Sequence, residues 1–181
     1  MSDPTDRAAG EYVVPPHEFV DDDGREIRIV SGTADDEQDL LEMYVEFDPE
    51  DCSQGVPPLT AEDIREWLGY LFPEGSHHVI ARHGDVTVGH AFLVPAGDDR
   101  HELAIFVAHE YQSAHIGTEL MYTLLGSGLD AGVRQVWLSV ESWNNHAIAL
   151  YENFGFQKHR VARTELEMTI YLEESDMRQS A

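Results

Sequence analysis

Two stretches of this chain place chemistry-bearing groups where a helix begins. The first, Val107-Ala108-His109-Glu110-Tyr111-Gln112-Ser113-Ala114-His115-Ile116-Gly117-Thr118-Glu119-Leu120-Met121, is a polar loop opening an amphipathic helix. The free N–H groups at a helix N-terminus, with the helix dipole behind them, are suited to a phosphate-type anion. The second runs from Val140 to Phe156. It leaves an apolar strand at Glu141, enters a helix through Asn144-Asn145, and sets Tyr151 on one stripe with Ala147, Ile148 and Phe154. Either asparagine can cap that helix by accepting from its first N–H groups, and Gly155 can end it by taking positive φ. The pair of stretches offers an anion site and a hydroxyl carried on a rigid helix.

Hydrophobic periodicity supplies the elements around them. Glu26 to Val30 reads as a strand. Thr33-x-x-Asp36 and Thr60-x-x-Asp63 are capping signals for two helices, whose apolar faces are Leu40, Leu41, Tyr44 and Val45, then Ile64, Trp67, Leu68 and Leu71. His78–Arg82 and Val86–Val94 form a hairpin about His83-Gly84-Asp85, and His101–Val107 adds another antiparallel strand after a turn. The helix after Gly117 buries Leu120, Met121, Leu124, Leu125 and Leu129. Val136–Val140 is nearly all apolar, as in a parallel strand covered on both faces. Leu166, Met168, Ile170 and Leu172 alternate with polar or amphipathic residues in a final strand with one wet face. The order is strand, two helices, three strands, helix, strand, helix, two strands, which predicts an α/β protein with a mixed sheet of α+β character. Residues 1–24 read as a flexible acidic arm, 25–173 as one domain, and 174–181 as a tail.

Composition narrows the function classes. The chain has 181 residues, a hydrophobic fraction of 42% and no apolar run long enough for a membrane helix, and its acidic start lacks the pattern of a signal peptide. A cytoplasmic location and no membrane partner are expected. Cys52 is the sole cysteine, which excludes an intrachain disulfide, and its polar, proline-rich surroundings fit a surface thiol. The net charge is -24, with acidic residues spread throughout and Lys158 the single lysine beside ten arginines. Such a surface repels itself unless screened, so the chain reads as adapted to a salt-rich, halophilic cytoplasm. Without a basic stripe it has no means of neutralising nucleic-acid phosphates. His77, His78, His83 and His90 lie close in sequence, but neighbours on a strand point to opposite sides and no ligand spacing is present; surface or hairpin histidines, with no metal, are the expectation.

The Asn144-x-x-Ala147-x-x-Leu150-Tyr151-x-x-x-Gly155-Phe156 run resembles the C-terminal signature of the GNAT superfamily of N-acetyltransferases. Gln112-x-x-His115-x-Gly117 resembles its pyrophosphate loop, Arg/Gln-x-x-Gly-x-Gly/Ala, with His115 in place of the first glycine. Histidine enters the left-handed region more often than most residues, so His115 can keep the turn and add a donor. The resemblance covers residues 26–172 and implies the GNAT fold and an acetyl-CoA dependent transfer to a primary amine, directly, with both substrates bound. It assigns the diphosphate to Gln112, Ser113, Ala114, His115, Ile116, Gly117 and Thr118, and the pantetheine arm to main-chain groups of Ile105, Phe106 and Val107, with Asn144 on the other side. It makes Tyr151 the acid for the departing thiolate, Glu102 the base and Glu141 its reserve, since an amine must lose a proton to attack a thioester. Ala114 supplies no basic side chain, and Ser139 stands where ribosomal-protein N-terminal acetylating enzymes carry a glutamate. The rival expectation is a coenzyme A binding or regulatory module with little turnover. The acceptor side is expected along Asp48–Pro58, near Trp67, and at Arg160–Thr164; a homodimer is compatible with this reading.

Overall fold

The computed structural model describes residues 11–47, 57–58 and 60–177. In chain order the elements are β1 (His17–Val20), β2 (Glu26–Ser31), α1 (Glu37–Tyr44), α2 (Ala61–Tyr70), β3 (His77–His83), β4 (Val86–Pro95), β5 (Arg100–Val107), α3 (Ile116–Asp130), β6 (Gln135–Glu141), α4 (Asn145–Phe154), β7 (Gln157–Val161) and β8 (Glu165–Tyr171). Capping residues set the helix starts. Thr33 accepts from the Asp35 N–H while Asp36 accepts from the Thr33 N–H, a capping box that leads through a 3-10 turn into α1. Thr60 accepts from the Asp63 N–H to start α2, and Asn144, not Asn145, accepts from the Ala147 N–H to start α4. Gly155 ends α4 at φ 98°.

All eight strands form one mixed sheet in the order β1-β2-β3-β4-β5-β6-β8-β7. Every neighbouring pair is antiparallel except β5 and β6. That parallel pair has three rungs, Arg100 with Gln135, His101 with Val136 and Glu102 with Trp137. Past them β5 continues against β4 as far as Val107, and β6 against β8 as far as Glu141. The sheet therefore opens in its middle, toward the C-terminal ends of two adjacent parallel strands. α3 and α4 cover one face, burying Leu120, Leu124, Tyr151 and Phe154 against Ile105, Leu138 and Met168. α1 and α2 cover the other, with Leu40, Tyr44, Ile64 and Leu68 on Ile80, Phe92 and Phe106.

Several expectations change. The segment expected as a loose arm contributes β1 and, further upstream, a tethered extension: the Tyr12 N–H donates to Asp176 O and Val13 crosses α3 at Gly126, where a Cβ would lie 2.0 Å from Val13 O. The tail expectation changes with it, because Met177 bridges Tyr12. β6 alternates instead of being covered on both faces: Val136, Leu138 and Val140 are buried, while Trp137 and Ser139 are half-buried on the other side. Trp137 looks apolar in sequence, but its indole lies 5.2 Å from the Arg100 guanidinium. Val45 is the exposed C-cap of α1 and not part of its apolar face. His78 and His90 are buried, not at the surface. Residues 48–56, with Cys52, lie outside the described residues.

Candidate active site

Glu102 occupies the last rung before β5 and β6 part, opposite Val94 on one side and Trp137 on the other. It is half-buried, and desolvation raises its carboxyl pKa above the ordinary 4.5, with the Arg100 charge working the other way. A carboxylate poised in this manner is a better proton acceptor than a solvated one. Glu141 closes β6 on the same face, across from Glu165 on β8. The Ser142 N–H donates to Thr164 O, which ties the turn before β8 to the end of β6. Glu102 and Glu141 thus sit at the closed and open ends of the gap.

The loop from Ala108 to His115 lies at the open end. Ser113 and His115 both take left-handed φ, 59° and 68°, so His115 does hold the turn that a glycine would. Alternating handedness along a loop turns successive N–H groups toward one side, a backbone arrangement that binds anions. α3 follows directly, adding the N–H groups of its first turn. Ile116 and Ala114 are buried and anchor the loop, and Thr118 is half-buried. A Cβ on Gly117 would meet only ordinary contacts at 3.9 Å with Val107 and 4.0 Å with Ile105, so the chain's own packing does not require glycine there. Gln112 has a structural task as well: its Nε2 donates to Val107 O, closing the loop onto β5.

Tyr151 is fully buried on α4 with its ring set edge-on to Phe156. Asn144 spends its side-chain oxygen on the α4 cap. Ile105 and Phe106 are buried on opposite faces of β5, the first under α3 and the second under α1 and α2, while Val107 is half-buried at its end. On the α1–α2 side Trp67 meets Tyr44 and Phe106 edge-on at 5.1 and 6.0 Å, forming an aromatic floor. A cavity of about 420 Å³ lies between α1, the β3–β4 turn and residues 108–111, with Asp39, Glu42, Glu46, Asp85 and Glu110 on its walls. Such a wall repels phosphates and tolerates an amine. Among the described residues no three His, Cys, Asp or Glu side chains converge as metal ligands, and no helix is long and apolar enough to cross a membrane.

Residues 38–156 match the acetyltransferase (GNAT) family. The chain belongs to that family. A probable N-acetyltransferase, camello, from Xenopus tropicalis is 32% identical over 95 residues, 51% of this chain; the chain spans 43% of that relative's length. Among solved structures, the GNAT domain of S. lividans PAT superposes with TM-score 0.72 at 18% identity, over 86% of this chain and 96% of that one. A putative acetyltransferase from Salmonella typhimurium, solved with its cofactor acetyl-CoA, has TM-score 0.67 at 17% identity, over 82% and 95%. The Escherichia coli ribosomal-protein-S18-alanine N-acetyltransferase has TM-score 0.67 at 19% identity, over 81% and 94%. These likenesses establish the GNAT fold, with the mixed sheet parted between β5 and β6.

The residues missed in sequence lie mostly outside the two motifs. The turn Asp21–Arg25 packs on the coenzyme-loop candidate, and the Arg100 charge partly offsets the burial of Glu102. Asp21-Asp22-Asp23-Gly24 is a turn signal, but what it touches is a long-range matter.

Proposed function

We propose that this protein transfers the acetyl group of acetyl-CoA to a primary amine by direct attack, with both substrates bound. The observation that carries this reading is the opening of the sheet between β5 and β6, flanked by Glu102 at its closed end and the left-handed loop and α3 N-terminus at its open end. Ser113, Ala114, His115, Ile116, Gly117 and Thr118 bind the diphosphate through backbone N–H groups, and β5 from Ile105 to Val107 offers its edge to the pantetheine arm, with Asn144 across from it. Glu102 takes a proton from the acceptor ammonium, directly or through water, and so frees the neutral amine to attack, with Glu141 the alternative. The amine nitrogen bonds to the thioester carbonyl carbon, the C–S bond breaks, Tyr151 gives its proton to the thiolate sulfur, and the second proton of the nitrogen passes to the tyrosinate as the amide forms. A cytoplasm rich in salt is the setting we infer from the charge of -24.

Gln112 bonded to Val107, together with Ala114 and His115 in the loop, favours one rival: a coenzyme A binding module with little turnover. Calorimetric titration with acetyl-CoA in molar salt, followed by thiol-release assays over small amines, polyamine-like molecules and peptide amines, separates the two. Binding with turnover supports the transferase. Binding without turnover on any amine supports the rival, and no binding overturns both.

A further inference from the structure

Resting on the coenzyme site just described, we propose that the β1–β2 turn, Asp21–Arg25, is a clasp that shapes the diphosphate loop, in which Asp22 positions the His115 imidazole as a donor to the diphosphate. The turn grips the loop at both ends. At its entry, Arg25 donates from Nη1 to Glu110 O at 3.0 Å and lays its guanidinium 4.1 Å over the Tyr111 ring. At its exit, the Asp22 N–H donates to Ala114 O at 3.3 Å, and the Asp22 carboxylate accepts from His115 Nδ1.

The clasp is itself rigid. Asp21 is buried, and its carboxylate accepts from the backbone N–H groups of Asp23 and Arg25 and from Arg25 Nε at 2.7 Å. A loop carrying two non-glycine residues at positive φ needs such support, since the left-handed region is disfavoured for side chains with a Cβ. The family match begins at residue 38, so the support comes from outside the matched segment.

The chemistry follows from the ring's two nitrogens. Asp22 takes Nδ1, which fixes the ring and leaves Nε2 as the nitrogen turned away from the turn, on a side chain that is 43% exposed. Donating from both ring nitrogens, His115 bonds the Asp22 carboxylate through Nδ1 and a diphosphate oxygen through Nε2, a charge-assisted bond at the N-cap of α3. It supplies the positive charge that Ala114 does not. Asp22 acts through His115 and is a positioning residue.

A double-mutant cycle tests this on the whole chain in molar salt. Asp22→Asn keeps the side-chain shape and the bond to Ala114 O, and it should weaken coenzyme A binding about 10-fold, the size of one lost charge-assisted bond. The KM for acetyl-CoA should rise by a similar factor with kcat unchanged, and Asp22→Glu should restore part of the affinity. His115→Gly relieves the positive φ and removes the donor; in that background Asp22→Asn should have no further effect. An Asp22→Asn variant that binds coenzyme A like the wild type, or a loss of equal size in both backgrounds, overturns the clasp. A wild-type protein that binds no coenzyme A overturns the proposed function instead, so the two failures are distinct.

Discussion

Tyr44 on α1 and His90 on β4 share a buried hydrogen bond of 2.6 Å, and it has one direction. His90 Nε2 lies 2.9 Å from His78 Nδ1, and His78 Nε2 lies 2.7 Å from Leu71 O. A carbonyl only accepts, so His78 donates to Leu71, His90 donates to His78, and the Tyr44 hydroxyl donates to His90 Nδ1. Both imidazoles are neutral, and the chain links α1, α2, β3 and β4. Burial pushes His78 down to about 4 from its ordinary 6.5, and His90 well below it. The unfolded chain protonates these histidines as pH falls below 6.5, while the folded one does not until far lower. The stability present above 6.5 is therefore lost progressively toward pH 4, by about 3 kcal/mol for His78 alone. His90→Gln keeps one donor and one acceptor but cannot be protonated. Its melting temperature should fall less between neutral and acid pH than that of the wild type, measured at fixed molar salt.

Salt should stabilise the fold. The described ion pairs, such as Arg82 with Asp36 at 2.9 Å and Asp39 at 3.0 Å, are weakened by salt, but each contributes only about 0–1 kcal/mol. Repulsion within a net charge of -24 opposes them, and it is unscreened as the Debye length grows from about 3 Å at 1 M to about 10 Å at 0.1 M. The melting temperature should rise on going from the lower salt to the higher. A flat or falling curve would remove the halophile reading.

Local rules made most of the elements legible. Thr33, Thr60 and Gly155 carry their conformations in their own chemistry, and the α3 stripe from Leu120 to Leu129 follows a simple period. The turn before α3 could be read for the same reason, including the left-handed His115. What could not be read is long-range. His78 and His90 are twelve positions apart and meet only because β3 and β4 pair, so each looks like a surface histidine alone. Tyr12 and Met177 meet from opposite ends of the chain. Trp137 scores as apolar at a position that faces Arg100.

The packing of the N-terminal segment on α3 gives a direct test. A Cβ at Gly126 would meet Val13 O at 2.0 Å, and the Val13 N–H donates to Tyr122 O. Gly126→Ala gains about 1 kcal/mol of helix propensity but must displace that segment, at a cost of roughly 1–3 kcal/mol from overpacking. The displacement wins if the segment is held as tightly as its bonds imply. The variant should melt earlier and be cut faster by protease before residue 17; unchanged protection would mean that the segment packs elsewhere in solution.

For Glu102, mutation and pH give linked expectations. The base must be ionised, and burial raises its pKa above 4.5, so kcat/KM should fall as pH drops through that raised value. Arg100 opposes the shift, so Arg100→Gln should move this acid limb to higher pH. Glu102→Gln should lower turnover by ~10²- to 10⁴-fold and abolish the limb. Turnover that survives in Glu102→Gln would pass the role to Glu141.

Tyr151→Phe separates a proton donor from a packing residue. Tyr151 is fully buried on α4 beside Phe156, so the substitution keeps the ring and its packing. If the hydroxyl protonates the leaving thiolate, acetyl-CoA affinity and melting temperature change little, while turnover falls by ~10- to 10³-fold, at or just below the usual range because a thiolate is a fairly good leaving group. A structural tyrosine gives the reverse: turnover intact and about 1 kcal/mol of stability lost with a buried hydrogen bond. Measuring kcat, coenzyme A affinity and melting temperature on one preparation decides. An unchanged kcat takes Tyr151 out of the reaction and leaves a solvent proton to complete the departure of the thiolate.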